Sequence, residues 1–130
     1  MLVDTGAWYA AYVPSDPDHA AVRPLVDGAT TRLYTTDLIL AESLNLLRAR
    51  HEFHRAVILG QDLFAQTAAE LIYLTPADLQ KAFIIFSSYR DKEWSFVDCT
   101  SLVAMQRLGI RTAISLDDHF HQMPGITVCP

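Results

Sequence analysis

The sequence predicts an α/β domain whose mainly parallel sheet carries helices on both faces, and three observations support that class. Short apolar β runs alternate with helical stretches of about 10–15 residues, the pattern of β–α–β units. Hydrophobic residues make up 51% of the chain, enough for a core without disulfide or metal staples. Two acids, Asp4 and Asp117, fall at the ends of β runs, where parallel sheets collect functional groups. A length of 130 residues without a second composition regime predicts a single domain over 1–130.

In chain order, residues 1–3 form an apolar run that ends at Asp4, and residues 32–35 form the second candidate strand. A helix over 36–50 carries Leu38, Ile39, Ala41, Leu44, Leu46 and Leu47 with polar residues between them. A further helix is read over 54–69 and a third strand over 71–74. The helix over 76–89 has Pro76 near its start, where the missing N–H costs nothing. The helix over 95–108 ends at Gly109, a natural C-terminal stop. Residues 112–116 and 126–129 complete the strands. The chain shows no repeat, low-complexity tract or linker-like segment.

Composition restricts the function classes. Ten Lys and Arg against 15 Asp and Glu give a net charge of −5, which argues against a broad basic surface gripping phosphates. Gathering four acids at one metal site leaves the rest near neutral, and bound divalent cations cancel the negative field where a phosphate enters. Cys99 and Cys129 form no CxxC pair, so both are expected to be reduced and buried. The first residues lack a signal peptide's basic start and apolar run. No apolar stretch approaches the roughly 20 residues that span a bilayer. The expectation is a soluble, cytoplasmic protein.

Four acids carry the functional reading. Asp4 and Asp117 share one edge of the sheet, although Asp also commonly ends strands and opens turns. Glu42 falls among Leu38, Leu46 and Ala49, in the middle of an apolar stripe where a charge is expensive unless paired or coordinated. The alternatives place it at the stripe's margin or pair it with Arg48 or Arg107. Asp98 completes the capping box Ser95-Phe96-Val97-Asp98, and a first-turn acid can also project into the crevice. Each acid has an ordinary explanation alone; four on one edge are harder to explain separately.

Val3-Asp4-Thr5, Ala41-Glu42-Ser43-Leu44, Ser95-Phe96-Val97-Asp98 and Ile114-Ser115-Leu116-Asp117-Asp118-His119-Phe120 together resemble the PIN-domain family. They look in particular like the VapC-type ribonuclease toxins of type II toxin–antitoxin systems. The resemblance covers nearly the whole chain, and its most specific part runs from Ser95 to Phe120. It implies a short helix after Thr5 and a three-layer α/β/α fold with a five-stranded parallel sheet of order 3-2-1-4-5. It implies a Mg²⁺- or Mn²⁺-dependent endoribonuclease that acts on RNA, forms a homodimer and is inhibited by a small antitoxin. Carried over by position, Asp4, Glu42, Asp98 and Asp117 match the acidic catalytic quartet. Asp4, Asp98 and Asp117 are then metal ligands, with Asp4 and Asp98 the principal ones. Thr5 and Ser115 match supporting hydroxyl positions. Asp118 departs from the pattern, because many members carry a basic residue there.

Hard Mg²⁺ or Mn²⁺ suits carboxylate oxygens and water. His51-Glu52-Phe53-His54 lacks the i, i+4 histidine spacing of HExxH zinc sites. Arg48, Arg50, His51, His54 and Arg55 form one basic cluster, read as a solvated helix end or a grip on RNA phosphates or an acidic partner. Trp8, Tyr9 and Tyr12 are read as core or dimer contacts; His119 and His121, beside Asp117, are read as an exposed loop or as substrate contacts. Gly6 occupies the place where an aspartyl phosphatase needs its second Asp. A receiver domain's paired acids and late Lys are missing. The rival from another class is a non-catalytic PIN-like module that binds RNA or protein.

Overall fold

Five short strands carry the alternation. In the computed structural model, which describes residues 1–130, they are β1 (Leu2–Val3), β2 (Tyr34–Thr36), β3 (Glu70–Ile72), β4 (Thr112–Ile114) and β5 (Thr127–Cys129). They form one sheet in the order β3-β2-β1-β4-β5, with every neighbouring pair parallel. Around it lie α1 (Thr5–Tyr12), α2 (His19–Asp27), α3 (Asp37–Ala49), α4 (Phe53–Phe64), α5 (Pro76–Ser88), α6 (Phe96–Leu108) and the one-turn α7 (Asp118–His121). This is the three-layer α/β/α arrangement and strand order that the resemblance implies. From β1 the chain winds outward to β2 and β3, then returns to place β4 on β1's other side. A crevice therefore opens between the C-terminal ends of β1 and β4, where the winding reverses.

The helix starts follow from local chemistry. Thr36 caps α3 by accepting from the Ile39 N–H at 3.1 Å. Thr75 and Asp78 form a capping box on α5, behind which Pro76 takes the first helical position. Ser95 and Asp98 form the same box on α6, which stops at Gly109 in the left-handed conformation, φ 67°. Glycine holds that backbone without a Cβ penalty.

Several boundaries differ from the sequence reading. The strands are shorter, and the second is shifted to Tyr34–Thr36. Tyr73, read as strand, lies beyond β3 and is exposed. Helix α4 stops at Phe64 because Gln66 turns left-handed at φ 56° and Thr67 N–H returns to the Asp62 carbonyl. Helix α2 is an element that the sequence reading did not include. It is amphipathic, but Pro24 inside it reads as a helix breaker. Both cysteines are free, but only Cys99 is buried; Cys129 on the edge strand is half-buried. No helix is long and apolar enough to cross a membrane.

The core gathers 27 buried residues, with Trp8 the largest fully enclosed side chain. Its indole N–H donates to Thr35 Oγ1 at 3.1 Å, and the Thr35 hydroxyl donates to the Val3 carbonyl at 3.3 Å. Helix α1 is thereby tied to β1 and β2. At its far end, the carbonyls of Ala10, Ala11 and Tyr12 accept from His19, Arg23 and Arg55. Those bonds satisfy carbonyls that a helix C-terminus leaves without partners. Trp8 and Tyr12 are therefore internal contacts; the Tyr12 hydroxyl donates to Asp62 at 2.8 Å. The basic cluster is likewise occupied locally, with Arg48 over the Phe53 ring, Arg50 over Tyr9 and Arg55 paired with Glu52.

Candidate active site

The crevice has a volume of about 670 Å³, and its walls come from α1, α3, the approach to α6 and the β4–α7 turn. Asp4, Glu42, Asp98 and Asp117 all line it, as do Thr5, Glu93, Asp118 and His119. Six carboxylates face this space and neither Lys nor Arg does. Such crowding has an energetic cost, because like charges disfavour each other's ionised forms.

Asp4 is held most rigidly. Its N–H donates to the Ile114 carbonyl at 3.0 Å, placing it at the end of β1 beside β4. Its Oδ2 accepts from the Ser115 hydroxyl at 3.1 Å, and the same hydroxyl accepts from the Asp117 N–H at 3.1 Å. Ser115 thus links the first acid to the last. Burial pushes the Asp4 carboxyl up to about 7, and repulsion from Asp98 and Glu42 adds to that. The nearby Thr5 N–H and the Ser115 hydroxyl oppose it.

Asp98 reaches the crevice while capping α6. Its Oδ2 accepts from the Ser95 N–H at 2.8 Å. Burial raises its carboxyl above the ordinary range and repulsion from Asp117 contributes, while the Ser95 groups and His119 act the other way. The capping and crevice roles are compatible, since only part of the carboxylate is used by the cap.

Glu42 lies in the crevice wall, but for a reason different from the sequence argument. The stripe of α3 that enters the core is Ile39, Leu40, Ser43 and Leu47. Leu38 and Leu46 are half-buried and Glu42 is exposed on the flank. The acid was not forced into the core; the flank on which it sits faces the other carboxylates. Neither suggested arginine reaches it, because Arg107 pairs with Asp78 and Arg48 with the Phe53 ring. Burial of its carboxyl against the wall raises its pKa, as do the charges of Asp98 and Asp117.

Asp117 caps α7, its Oδ1 accepting from the His119 N–H at 2.9 Å. Asp118 occupies the first position of α7, exposed at the crevice mouth. Two residues outside the expected quartet stand here, and the sequence reading named only one of them, His119. His119 is half-buried in the crevice rather than on an exposed loop, while His121 is exposed. The adjacent Phe120 is completely buried, which the local sequence does not tie to the acids. Glu93 enters from the α5–α6 connection, and nothing in its local sequence distinguishes it.

The donor chemistry fits a divalent cation. Ligand atoms of Asp98, Asp117 and His119 all lie within 4.8 Å of one another. The buried Thr5 hydroxyl in the same wall has no hydrogen-bond partner, though it lies near enough to Glu42 to favour that carboxyl's charged form. Carboxylate oxygens suit a hard ion, and an unpartnered buried hydroxyl is a group that bound water or ligand satisfies.

Comparison with known proteins gives consistent results. A family model described as PIN domain matches residues 1–126. The chain is 29% identical over 127 residues to "Ribonuclease VapC26" of Mycobacterium tuberculosis, covering 97% of this chain and 93% of that protein. It is 29% identical over 131 residues to the "23S rRNA-specific endonuclease VapC20" of the same species, covering 100% of this chain and 98% of the relative. The crystal structure of Mycobacterium tuberculosis VapC20, described as a sarcin-ricin loop cleaving toxin, superposes with a TM-score of 0.91 at 26% identity. That match covers 99% of this chain and 98% of the other.

Proposed function

The chain belongs to the PIN domain family, and from that premise we propose that it is a Mg²⁺- or Mn²⁺-dependent endoribonuclease, the toxin of a toxin–antitoxin pair. The observation that carries this reading is the delivery of Asp4, Glu42, Asp98 and Asp117 by four separate elements to one crevice without a Lys or Arg. A stable fold gains nothing from such crowding; a site for cations does. The names of the two relatives, a ribonuclease and an rRNA-specific endonuclease, support RNA as the substrate class.

Asp4, Asp98 and Asp117 would hold the ion, and Ser115 keeps the first and last of them in register. A bound divalent cation supplies positive charge for the phosphate and acidifies water. Glu42, with its raised carboxyl on the open flank of the crevice, accepts the proton of the attacking water. Water oxygen bonds to phosphorus, the bond to the 3′ oxygen breaks, and that oxygen takes a proton from solvent. The products carry 5′-phosphate and 3′-hydroxyl ends. No side-chain nucleophile is needed.

Two exposed apolar faces support protein partners. Helix α5 presents Phe83, Ile84 and Phe86, and α4 presents Phe53, Val57 and Phe64 beside a groove of about 300 Å³. A second copy of the chain and an antitoxin are the occupants this reading supplies.

The test is cleavage of a mixed RNA pool with Mg²⁺ or Mn²⁺, against an EDTA control. Cleavage should require the ion and should fall at least about a hundredfold in Asp4→Asn. Cleavage that survives EDTA, or an Asp4→Asn protein as active as the wild type, overturns the mechanism. Binding of RNA without cleavage under any ion would instead identify a non-catalytic module.

A further inference from the structure

We propose that His119 is a nitrogen ligand beside Asp98 and Asp117, and that this position therefore prefers Mn²⁺ to Mg²⁺. The inference rests on reading the crevice as a metal centre and goes beyond it. It adds a residue outside the acidic quartet and a choice between ions.

The geometry places the imidazole beside the carboxylates without docking it on either. His119 Nδ1 stands 3.3 Å from Asp117 Oδ1 and 3.6 Å from Asp98 Oδ2. Both separations exceed those of well-formed N–H···O bonds. The ring faces the gap between two acids, with all three donor atoms within 4.8 Å. Its placement is not accidental drift of a loop. Asp117 Oδ1 holds the His119 backbone N–H, and the adjacent Phe120 is completely buried. A second observation comes from α1. Thr5 is only 6% exposed and its unpartnered hydroxyl lies in the same crevice wall, where an ion's bound water would satisfy it.

The ion preference follows from ligand chemistry. Mg²⁺ takes oxygen ligands, keeps several waters and tolerates imidazole poorly. Mn²⁺ shares the carboxylate and water preference of Mg²⁺, but as a first-row transition ion with less demanding geometry it takes an imidazole beside carboxylates more readily. The competing explanation makes the ring a countercharge for the acids, and a countercharge does not distinguish two ions of equal charge. Selectivity between ions is therefore the diagnostic property.

The experiment titrates the intact protein with Mn²⁺ and with Mg²⁺ by calorimetry, and records nitrogen coupling to bound Mn²⁺ by pulsed electron paramagnetic resonance. Wild type should bind Mn²⁺ more tightly than Mg²⁺ and show imidazole coupling. His119→Asn should weaken Mn²⁺ binding about tenfold or more, change Mg²⁺ binding by less than about threefold and abolish the coupling. Bound Mn²⁺ without nitrogen coupling in wild type overturns the inference and leaves the metal centre standing. Coupling that persists in His119→Asn assigns the nitrogen to another histidine and also overturns it. Equal loss for both ions reduces His119 to a countercharge. Failure of wild type to bind Mn²⁺ at all overturns the metal-centre reading together with this one.

Discussion

Asp78 and Asp98 begin their helices in the same way and end in opposite electrostatic states. Each is the third helical residue of a capping box, Thr75-Pro76-Ala77-Asp78 and Ser95-Phe96-Val97-Asp98. Each is buried, at 1% and 7% exposure, and each Oδ2 accepts the N–H of its cap residue, at 3.0 and 2.8 Å. They differ in the next partner. Arg107 clamps Asp78 with two bonds, Nε at 3.0 Å and Nη2 at 2.9 Å. Burial works to raise the Asp78 carboxyl, but the Thr75 N–H and Arg107 outweigh it and hold the pKa below the ordinary range. Asp98 meets Asp117 and His119 instead, and its pKa is raised. A capping motif fixes where a carboxylate sits; the partner beyond the cap decides whether it staples helices or awaits a ligand.

Neutralising each acid should separate the two roles. The largest effect is expected for Asp98→Asn, which should cut RNA cleavage at least about a hundredfold. Its metal-free stability should stay within about 0.5 kcal/mol, because repulsion is relieved as the cap weakens. Asp78→Asn should do the reverse. Cleavage per folded molecule survives, while stability falls by about 1–3 kcal/mol in a urea titration. That lies below the cost of breaking a fully buried pair because Arg107 is 39% exposed. If both variants lose activity and stability together, the two boxes are not functionally distinct.

A smaller effect is expected from pH. The Asp4 carboxyl is raised to about 7 in the fold from 3.8 for an unperturbed group. Between those values the unfolded chain releases a proton that the folded chain keeps. Metal-free stability should therefore fall as pH rises from about 4 to about 7, and Asp4→Asn should flatten the decline. Parallel pH curves for the two proteins would show that burying Asp4 among the other acids costs the fold nothing.

The smallest effect is reserved for Asp118. It is exposed at the first position of α7, whereas Asp117 holds the cap and faces Asp98. Asp118→Asn should change cleavage by less than about threefold in the same assay. Loss through Asp118 with retention in Asp117→Asn would exchange the two roles.

The comparison also explains what the sequence made legible. Alternation of β runs and helices located every strand, since sheet burial leaves short apolar segments between longer amphipathic ones. Helix α2 escaped although it is amphipathic, because Pro24 in its middle reads as a break in the chain. The acids were visible as positions, but their surroundings were not. Glu42 was placed correctly through a core stripe that does not exist, since Ile39, Leu40, Ser43 and Leu47 form the buried face. His119 and Glu93 depend on where the β4–α7 turn and the α5–α6 connection fold back, which no local pattern encodes.

The Ser115 hydroxyl gives the site a direction. A backbone amide only donates, so with Asp4 ionised the one hydrogen of Ser115 goes to Asp4 Oδ2 while a lone pair of the Ser115 oxygen takes the Asp117 N–H. The two oxygens of one symmetrical carboxylate become distinct: Oδ2 is tied to Ser115 at the end of β4, and Oδ1 is not.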